Sequence, residues 1–373
     1  MGTANKSSSS SVTVLHLSSE RTWRGGEQQI AYLIDELKLL GVIVHIAVKA
    51  GSEFEKYCKG KGMPCYSLPF RNSLDLRTAL EIKKICRDLN PDLIHLHSSK
   101  SHGIGVLSAI LGNKVPLVLS RRVDFVPKNT WLTRMKYNYP GIKRILCVSH
   151  KIRDIMKAYL REPEKAITIH SGVDLAKFNI PVPENTLRKE FNVDRNTVII
   201  GNTSALEDHK DYFTFIDTIY ELIQRRIPLK AFIIGTGSRE AALKEYAAEK
   251  KLTEAVCFTG FRKDIVRVLP SLDLFLITSN EEGLGTSVLD AFAAGIPVVA
   301  TAAGGIPEMV INNETGMLAS VGDKVSLADA VVKLLSDPAL KDRLIRNAKD
   351  KVKDFSKEET ARKTLTAYQE ILT

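Results

Sequence analysis

The stretch SNEEGLGTSVLDAFAAGIPVVA (Ser279–Ala300) holds two carboxylates, Glu282 and Asp290, eight positions apart around a turn rich in glycine and hydroxyl residues, with no Lys or Arg among them. The apolar run DLFLIT precedes it, and a helix is expected to start near Thr286. The amides of Gly285, Thr286 and Ser287 would then point at an anion from the helix N-terminus. Charge-assisted bonds of roughly 1.5–3 kcal/mol each, with about 0.3–1 kcal/mol from the helix dipole, would hold a phosphate there without basic side chains. Asp290 falls one turn after Thr286 on the same helix face. It is either a surface acid or a group that reaches past the phosphate to accept two hydroxyl protons from a ribose, as the acid of dinucleotide-binding folds does. Glu282, before the helix, is placed to meet the group beyond the diphosphate.

Other candidate residues also follow apolar runs. In GNTSALEDHKD, Thr203 closes the run and Lys210 offers a compact charge for a diphosphate, although alone it reads as an ordinary surface lysine. IIGTGSRE turns at Gly235, and FTGFRKDI sets backbone near Phe261 and Arg262 where a nucleobase could lie. In the first half, Gly25-Gly26 open a helix, either as a close approach for an anion or as a plain tight turn. His95 and His97 share one side of DLIHLH, with His95 expected in the core and His97 at the strand end within reach of a sugar hydroxyl. A metal pair of these two is unsupported, because no acid or Cys lies near them in sequence. Ser98, Lys100, Arg121 and Arg122 are the candidates for an acceptor, with the arginines suited to a phosphate or carboxylate unless both are surface residues. FVPKNTWLTRMKYNY interleaves bases with aromatic residues, which fits a membrane interface, an amphiphilic acceptor or an ordinary lid.

These residues need an α/β frame. VTVLHL, VIVHIAV, DLIHLH, LVLS and RILCVS read as strands, with helices from Ile30 to Leu40 and from Leu76 to Leu89. After NIPVPENT (Asn179–Thr186), read as a linker, the alternation restarts with TVIIGN, KAFIIG, AVCFTG, DLFLIT and PVVA. Two parallel-sheet layers follow one another, and ligands are expected beyond the carboxyl ends of their strands. The expected boundaries are a disordered lead over 1–11, a first domain over 12–183, a second over 184–355, and a last helix over 356–373. That helix carries a capping box at Ser356/Glu359 and an apolar face at Ala361, Leu365, Tyr368 and Leu372, laid on the first domain.

The bulk numbers fit such a frame. With 373 residues, two domains are the first expectation, and 44% apolar with 26% charged residues suits a globular protein. The apolar runs are too short to span a bilayer, the N-terminus lacks the apolar centre of a secretory signal, and five scattered cysteines form no C-x-x-C pair, so reduced thiols in the cytoplasm are expected. The net charge of +10 is uneven: fourteen bases against Asp124, Asp154, Glu162 and Glu164 lie between Lys100 and Lys165. Such a surplus suggests an anionic partner or a solvated basic face.

EEGLGTSVLDAFAAGIPVVAT resembles the E-x7-E signature of the retaining GT-B glycosyltransferases of family 4 (glycosyltransferase group 1). GGEQ, DLIHLHSSK, VSHKIRDIM, IHSGVDLAKF, LEDHKD, IIGTGSRE, FTGFRKDI and TAAGGIPEMV agree in order, so the resemblance covers nearly the whole chain. It implies two facing Rossmann-like domains with an inter-domain cleft and a C-terminal crossover helix. The first would bind an acceptor and the second a nucleotide-diphosphate sugar. By resemblance, Lys210 contacts the diphosphate, Glu282 and His97 the donor sugar, Asp290 the ribose, and Gly25-Gly26 the phosphate region. Two departures stand out: Asp290 replaces a Glu, and Ala205 stands where the family often has Arg. No obligatory metal is implied, and independently no D-x-D is present to hold one on a diphosphate.

The expected function is sugar transfer with retention to an acceptor hydroxyl, with glycan or lipid-linked acceptors, in lipopolysaccharide or surface-polysaccharide assembly. The setting expected is the cytoplasm, peripherally at the inner face of the cell membrane, with no nucleic acid partner. A nucleotide-sugar epimerase, a phosphorylase, or a non-catalytic binding protein of the same fold are the rivals.

Overall fold

A computed structural model describes residues 11–179 and 186–373. The linker expected at 179–186 therefore lies almost wholly outside the described residues, as does most of the lead. The described residues form two compact units, 11–148, 153–169 and 357–373 in the first and 149–152, 170–179 and 186–356 in the second. The division falls after Ile169, not after residue 183 as expected from composition. The cause is a 3₁₀ turn, Leu175–Phe178, which packs on the second unit's residues ahead of the proline-rich stretch.

The first unit holds the strands β1 (Thr13–Ser18), β2 (Ile43–Lys49), β3 (Cys65–Leu68), β4 (Leu93–Leu96), β5 (Leu117–Arg121), β6 (Ile142–Cys147) and β7 (Ala166–Thr168). They make one parallel sheet in the order β3-β2-β1-β4-β5-β6-β7. Interleaved are α1 (Gly25–Leu39), α2 (Glu53–Gly60), α3 (Leu76–Leu89), α4 (Ser99–Ile110), α5 (Trp131–Tyr137) and α6 (His150–Tyr159). The central strands are mostly apolar and buried, β1 and β4 apart from their histidines, as expected for a parallel sheet covered on both faces. Helix α3 has the limits its sequence predicts. The Asp75 carboxylate accepts from the Thr78 amide at 3.2 Å, and Asn90 (φ 47°) ends it before Pro91.

The helix Lys357–Leu372 lies on α1 in this unit. Ala361, Ala367 and Tyr368 join Ile30, Ile34 and Leu37 in one core. Its apolar face differs from expectation at Leu372, which is exposed, while Thr364 is buried. The Tyr368 hydroxyl meets Nδ1 of His95 at 2.5 Å, tying the last helix to the middle of β4.

The second unit carries β8 (Val198–Thr203), β9 (Leu229–Ile234), β10 (Val256–Gly260), β11 (Leu274–Ile277), β12 (Val298–Thr301) and β13 (Met317–Ala319), parallel in the order β10-β9-β8-β11-β12-β13. Its helices are α7 (Thr186–Glu190), α8 (Tyr212–Gln224), α9 (Glu240–Glu249), α10 (Ile265–Val268), α11 (Thr286–Ala293), α12 (Lys324–Ser336) and α13 (Pro338–Lys351). Phe215 and Ile219 of α8, Leu327 and Val331 of α12, and Ile200, Ile233 and Leu276 of the strands fill its core. In both sheets the order reverses beside the first strand of the unit, the topological switch that opens a crevice at the strands' carboxyl ends.

Candidate functional site

In the second unit, α11 starts at Thr286 as its sequence predicts. Gly285 (φ 86°) precedes it in the left-handed conformation that glycine adopts without strain. First-turn amides of a helix have no intrahelical acceptor, so those of Thr286 and Ser287 face the crevice. The loop before them is shaped by Gly304 (φ 52°), where a Cβ would stand 1.8 Å from the carbonyl oxygen of Glu282. No other residue fits that approach. Gly305 donates its amide to the same carbonyl at 3.0 Å.

The Glu282 side chain is 7% exposed, accepts from the Ser279 hydroxyl at 2.9 Å, and pairs with Nζ of Lys210 at 2.5 Å. Two further bonds latch the Lys210 loop to the end of β11. The Thr278 hydroxyl donates to the Asp211 carbonyl at 2.9 Å, and the Asn280 amide to the His209 carbonyl at 3.0 Å. The turn after β9 is latched in the same way, by the Leu206 amide on the Thr236 carbonyl (3.1 Å) and the Arg239 amide on the Leu206 carbonyl (3.0 Å). Gly235 comes so close to the Ser204 carbonyl that a Cβ would lie 2.0 Å from it. The loops carrying Thr203, Lys210, Gly235, Glu282 and Gly285 thus surround one crevice.

Asp290 stands one turn into α11, and Nζ of Lys177 lies 2.6 Å from its Oδ1. Burial lifts the Asp290 carboxyl above its usual range, against the opposing pull of Lys177. The base beside Asp290 comes not from this loop but from the 3₁₀ turn Leu175–Phe178, distant in the chain. At the other side, the Phe261 ring is exposed after β10, free of the core. The Arg262 guanidinium is bound to Asp264 (2.7 Å) and Glu190 (2.6 Å), which hold it above its usual range, so only the backbone there suits a ligand.

In the first unit, Gly25 and Gly26 are the first residues of α1, and nothing lies within 4 Å of where their Cβ atoms would be. They form no tight turn; they leave the helix start open. His97 departs from expectation. It is 7% exposed, its Nε2 lies 2.9 Å from Nδ1 of His16, and Arg122 approaches its Nδ1 at 3.4 Å while donating to its carbonyl at 3.1 Å. Because Arg122 can only donate, the His97 proton sits on Nε2 and points at His16. His95 is buried, as expected, with Nε2 2.8 Å from the Ser120 hydroxyl.

Burial keeps all three histidines neutral, with His16 pushed down to about 3 and His95 and His97 well below their usual value. His16 was missed. It pairs in register with His95 across β1 and β4, and the histidine between aliphatic residues in both strands (LHL and IHL) was the signal. His16, His95 and His97 have ligand atoms within 4.8 Å of one another, but the Arg122 guanidinium beside His97 opposes a cation there.

The remaining acceptor candidates divide. Lys100 is exposed on the first turn of α4. The Ser98 hydroxyl is taken up within the fold, 2.6 Å from the hydroxyl of Ser19 and 2.9 Å from that of Ser101. Arg121 is buried and donates to the Tyr137 hydroxyl (2.8 Å) and the Phe125 carbonyl (2.6 Å), so it serves the fold. Arg122, only partly exposed, is bonded to the His97 carbonyl and approaches its ring.

Two parallel-sheet α/β units, one with an acid–lysine pair beneath a helix N-terminus, define the GT-B class of glycosyltransferases. The chain belongs to this family: residues 23–177 match the Glycosyltransferase Family 4 model and residues 183–351 the Glycosyl transferases group 1 model. It is 22% identical over 305 residues to the N-acetyl-alpha-D-glucosaminyl L-malate synthase of Bacillus anthracis, covering 80% of each chain. It is 26% identical over 291 residues to the UDP-Gal:alpha-D-GlcNAc-diphosphoundecaprenol alpha-1,3-galactosyltransferase of Escherichia coli, covering 74% of this chain and 75% of that one. The crystal structure of Anabaena HepE in complex with UDP and glucose superposes with a TM-score of 0.82 at 18% identity, over 96% of this chain and all of the other. The protein is accordingly a glycosyltransferase enzyme of group 1.

Proposed function

We propose that the protein moves a sugar, with retention at the anomeric carbon, from a nucleotide-diphosphate donor to a hydroxyl of a glycan or lipid-linked acceptor. The setting is lipopolysaccharide or surface-polysaccharide assembly in the cytoplasm, at the inner face of the cell membrane. One observation carries the donor half: the Lys210–Glu282 pair and the α11 amides surround one crevice, with Asp290 a turn further on. The diphosphate lies on the amides of Gly285, Thr286 and Ser287 and against Lys210, which neutralise the charge that builds as it departs. Asp290, steadied by Lys177, takes the ribose hydroxyls, and backbone at Phe261 and Arg262 borders the base.

The acceptor oxygen bonds to the anomeric carbon from the face the diphosphate leaves. Its proton passes to the leaving phosphate oxygen, giving a glycoside and a nucleoside diphosphate. Glu282 orients the donor sugar. In the first unit, Gly25-Gly26 leave the start of α1 open, and Lys100 meets the acceptor. Both the HepE complex and the E. coli relative's uridine donor support uridine nucleotides as the first to test.

The test is release of nucleoside diphosphate from a panel of nucleotide-sugars, with and without glycan acceptors. Turnover with one donor and a product of unchanged anomeric configuration is expected. No hydrolysis or transfer with any donor, alongside tight glycan binding, would overturn the enzymatic reading.

A further inference from the structure

The chain between β5 and β6 is pinned from behind and bare in front. The Arg121 guanidinium holds the Phe125 carbonyl and the Tyr137 hydroxyl, and it faces both rings at 4.8 and 5.6 Å. The Tyr159 hydroxyl donates to the Lys128 carbonyl at 3.0 Å, and Nε2 of His102 to the Lys136 carbonyl at 3.2 Å. The segment's backbone is therefore fixed, yet its large apolar side chains face solvent. Trp131 is 74% exposed, Val126 66%, Leu132 58%, Phe125 57% and Met135 38%. On α5, Trp131, Leu132 and Met135 share one face. An apolar patch held out in this way marks an interaction surface.

The charge around it narrows the partner. Lys128 and Arg134 stand exposed on the segment, and the sequence holds no Asp or Glu from Phe125 through Arg153; further along, Arg144 and Arg153 are paired with Glu370 and Asp154. A second copy of this chain would set like charge against like charge. Trp, Phe and Leu beside Lys and Arg suit the boundary between lipid headgroups and acyl chains.

We infer that the α5 segment is a membrane-docking face. Trp131, Leu132, Phe125 and Val126 enter the interfacial zone of an anionic bilayer, while Lys128 and Arg134 meet lipid phosphates. A seven-residue helix gives shallow, reversible and salt-sensitive attachment. No described helix is long and apolar enough to cross a membrane. This deepens the proposed lipid-linked acceptor and rests on that reading.

The full chain is sedimented with vesicles of phosphatidylglycerol and phosphatidylcholine, and with phosphatidylcholine alone, at low and high salt. At least tenfold stronger binding to the anionic vesicles is expected, lost at high salt. Trp131 emission should shift to the blue, read in a Trp23→Phe background. Trp131→Ala/Leu132→Ala and Lys128→Glu/Arg134→Glu should each weaken binding at least tenfold with unchanged melting. Both should keep the melting rise given by UDP, which separates failure here from failure of the donor reading. Wild-type affinity in both variants, or no preference for anionic vesicles, would overturn the inference. So would a dimer in sedimentation velocity that Trp131→Ala/Leu132→Ala breaks.

Discussion

Lys210 and Glu282 share a pocket where each is mostly shielded from water, so neither is removed without consequence for the other. Truncating one partner of a shielded pair leaves an uncompensated charge, at about 3–5 kcal/mol. Lys210→Ala and Glu282→Ala are each expected to lose at least tenfold in turnover and to melt lower. The double variant Lys210→Met/Glu282→Gln should regain melting temperature but not turnover; recovery of both would refute the assigned roles. Lys177→Ala should raise the donor KM roughly tenfold, about 1.4 kcal/mol, and leave kcat nearly intact, because its contact is to the group proposed to hold the ribose. Steady-state kinetics over a donor titration reads that split. Glu282 and Asp290 were legible because a turn and a helix fix their separation locally. Lys177 and His16 were not, nor was the contact of Arg122 with His97, because strand register and loop packing bring these groups together from far along the chain.

Elements were legible where burial is complete. The interior strands β1, β4, β5, β8 and β11 stand out as apolar runs. The edge strands β3, β7 and β13 escaped notice: CYSL, AIT and MLA are short and half-solvated, so they need no apolar run. The last helix was legible by its period, but its bond to His95 was not. Tyr368→Phe leaves a buried imidazole nitrogen unpaired at about 1–3 kcal/mol, and calorimetry should show a melting temperature several degrees lower. The buried histidines also set a pH response. Their folded-state values lie below the unfolded one, so the unfolded chain takes up protons first. Stability is full above about pH 6.5 and falls as pH drops from there toward about 3, the value of His16. Urea melts at pH 7.5 and 5.5 should show this loss, and His16→Asn should reduce it.

For the whole molecule, binding of the donor nucleotide is the simplest observable. A ligand at a hundred times its Kd stabilises the native state by about 2.7 kcal/mol, so UDP should raise the melting temperature while an unrelated anion at equal concentration should not. Chelation with EDTA is expected to leave transfer rates unchanged, since Lys210 and the α11 amides are assigned the diphosphate charge. A rate restored only by added divalent ion would move that role to a metal.

The bond between Tyr368 and His95 also orders events in time. The first unit is interrupted in sequence: the helix that covers α1 follows the whole second unit along the chain. On the ribosome, residues 170–356 emerge and can close their own core while the first-made sheet still waits for its cover. The apolar stripe of Ile30, Ile34 and Leu37 is left uncovered on that side until residues 357–372 emerge. A nascent chain stalled after residue 355 should therefore recruit chaperones at the α1 face of its first unit.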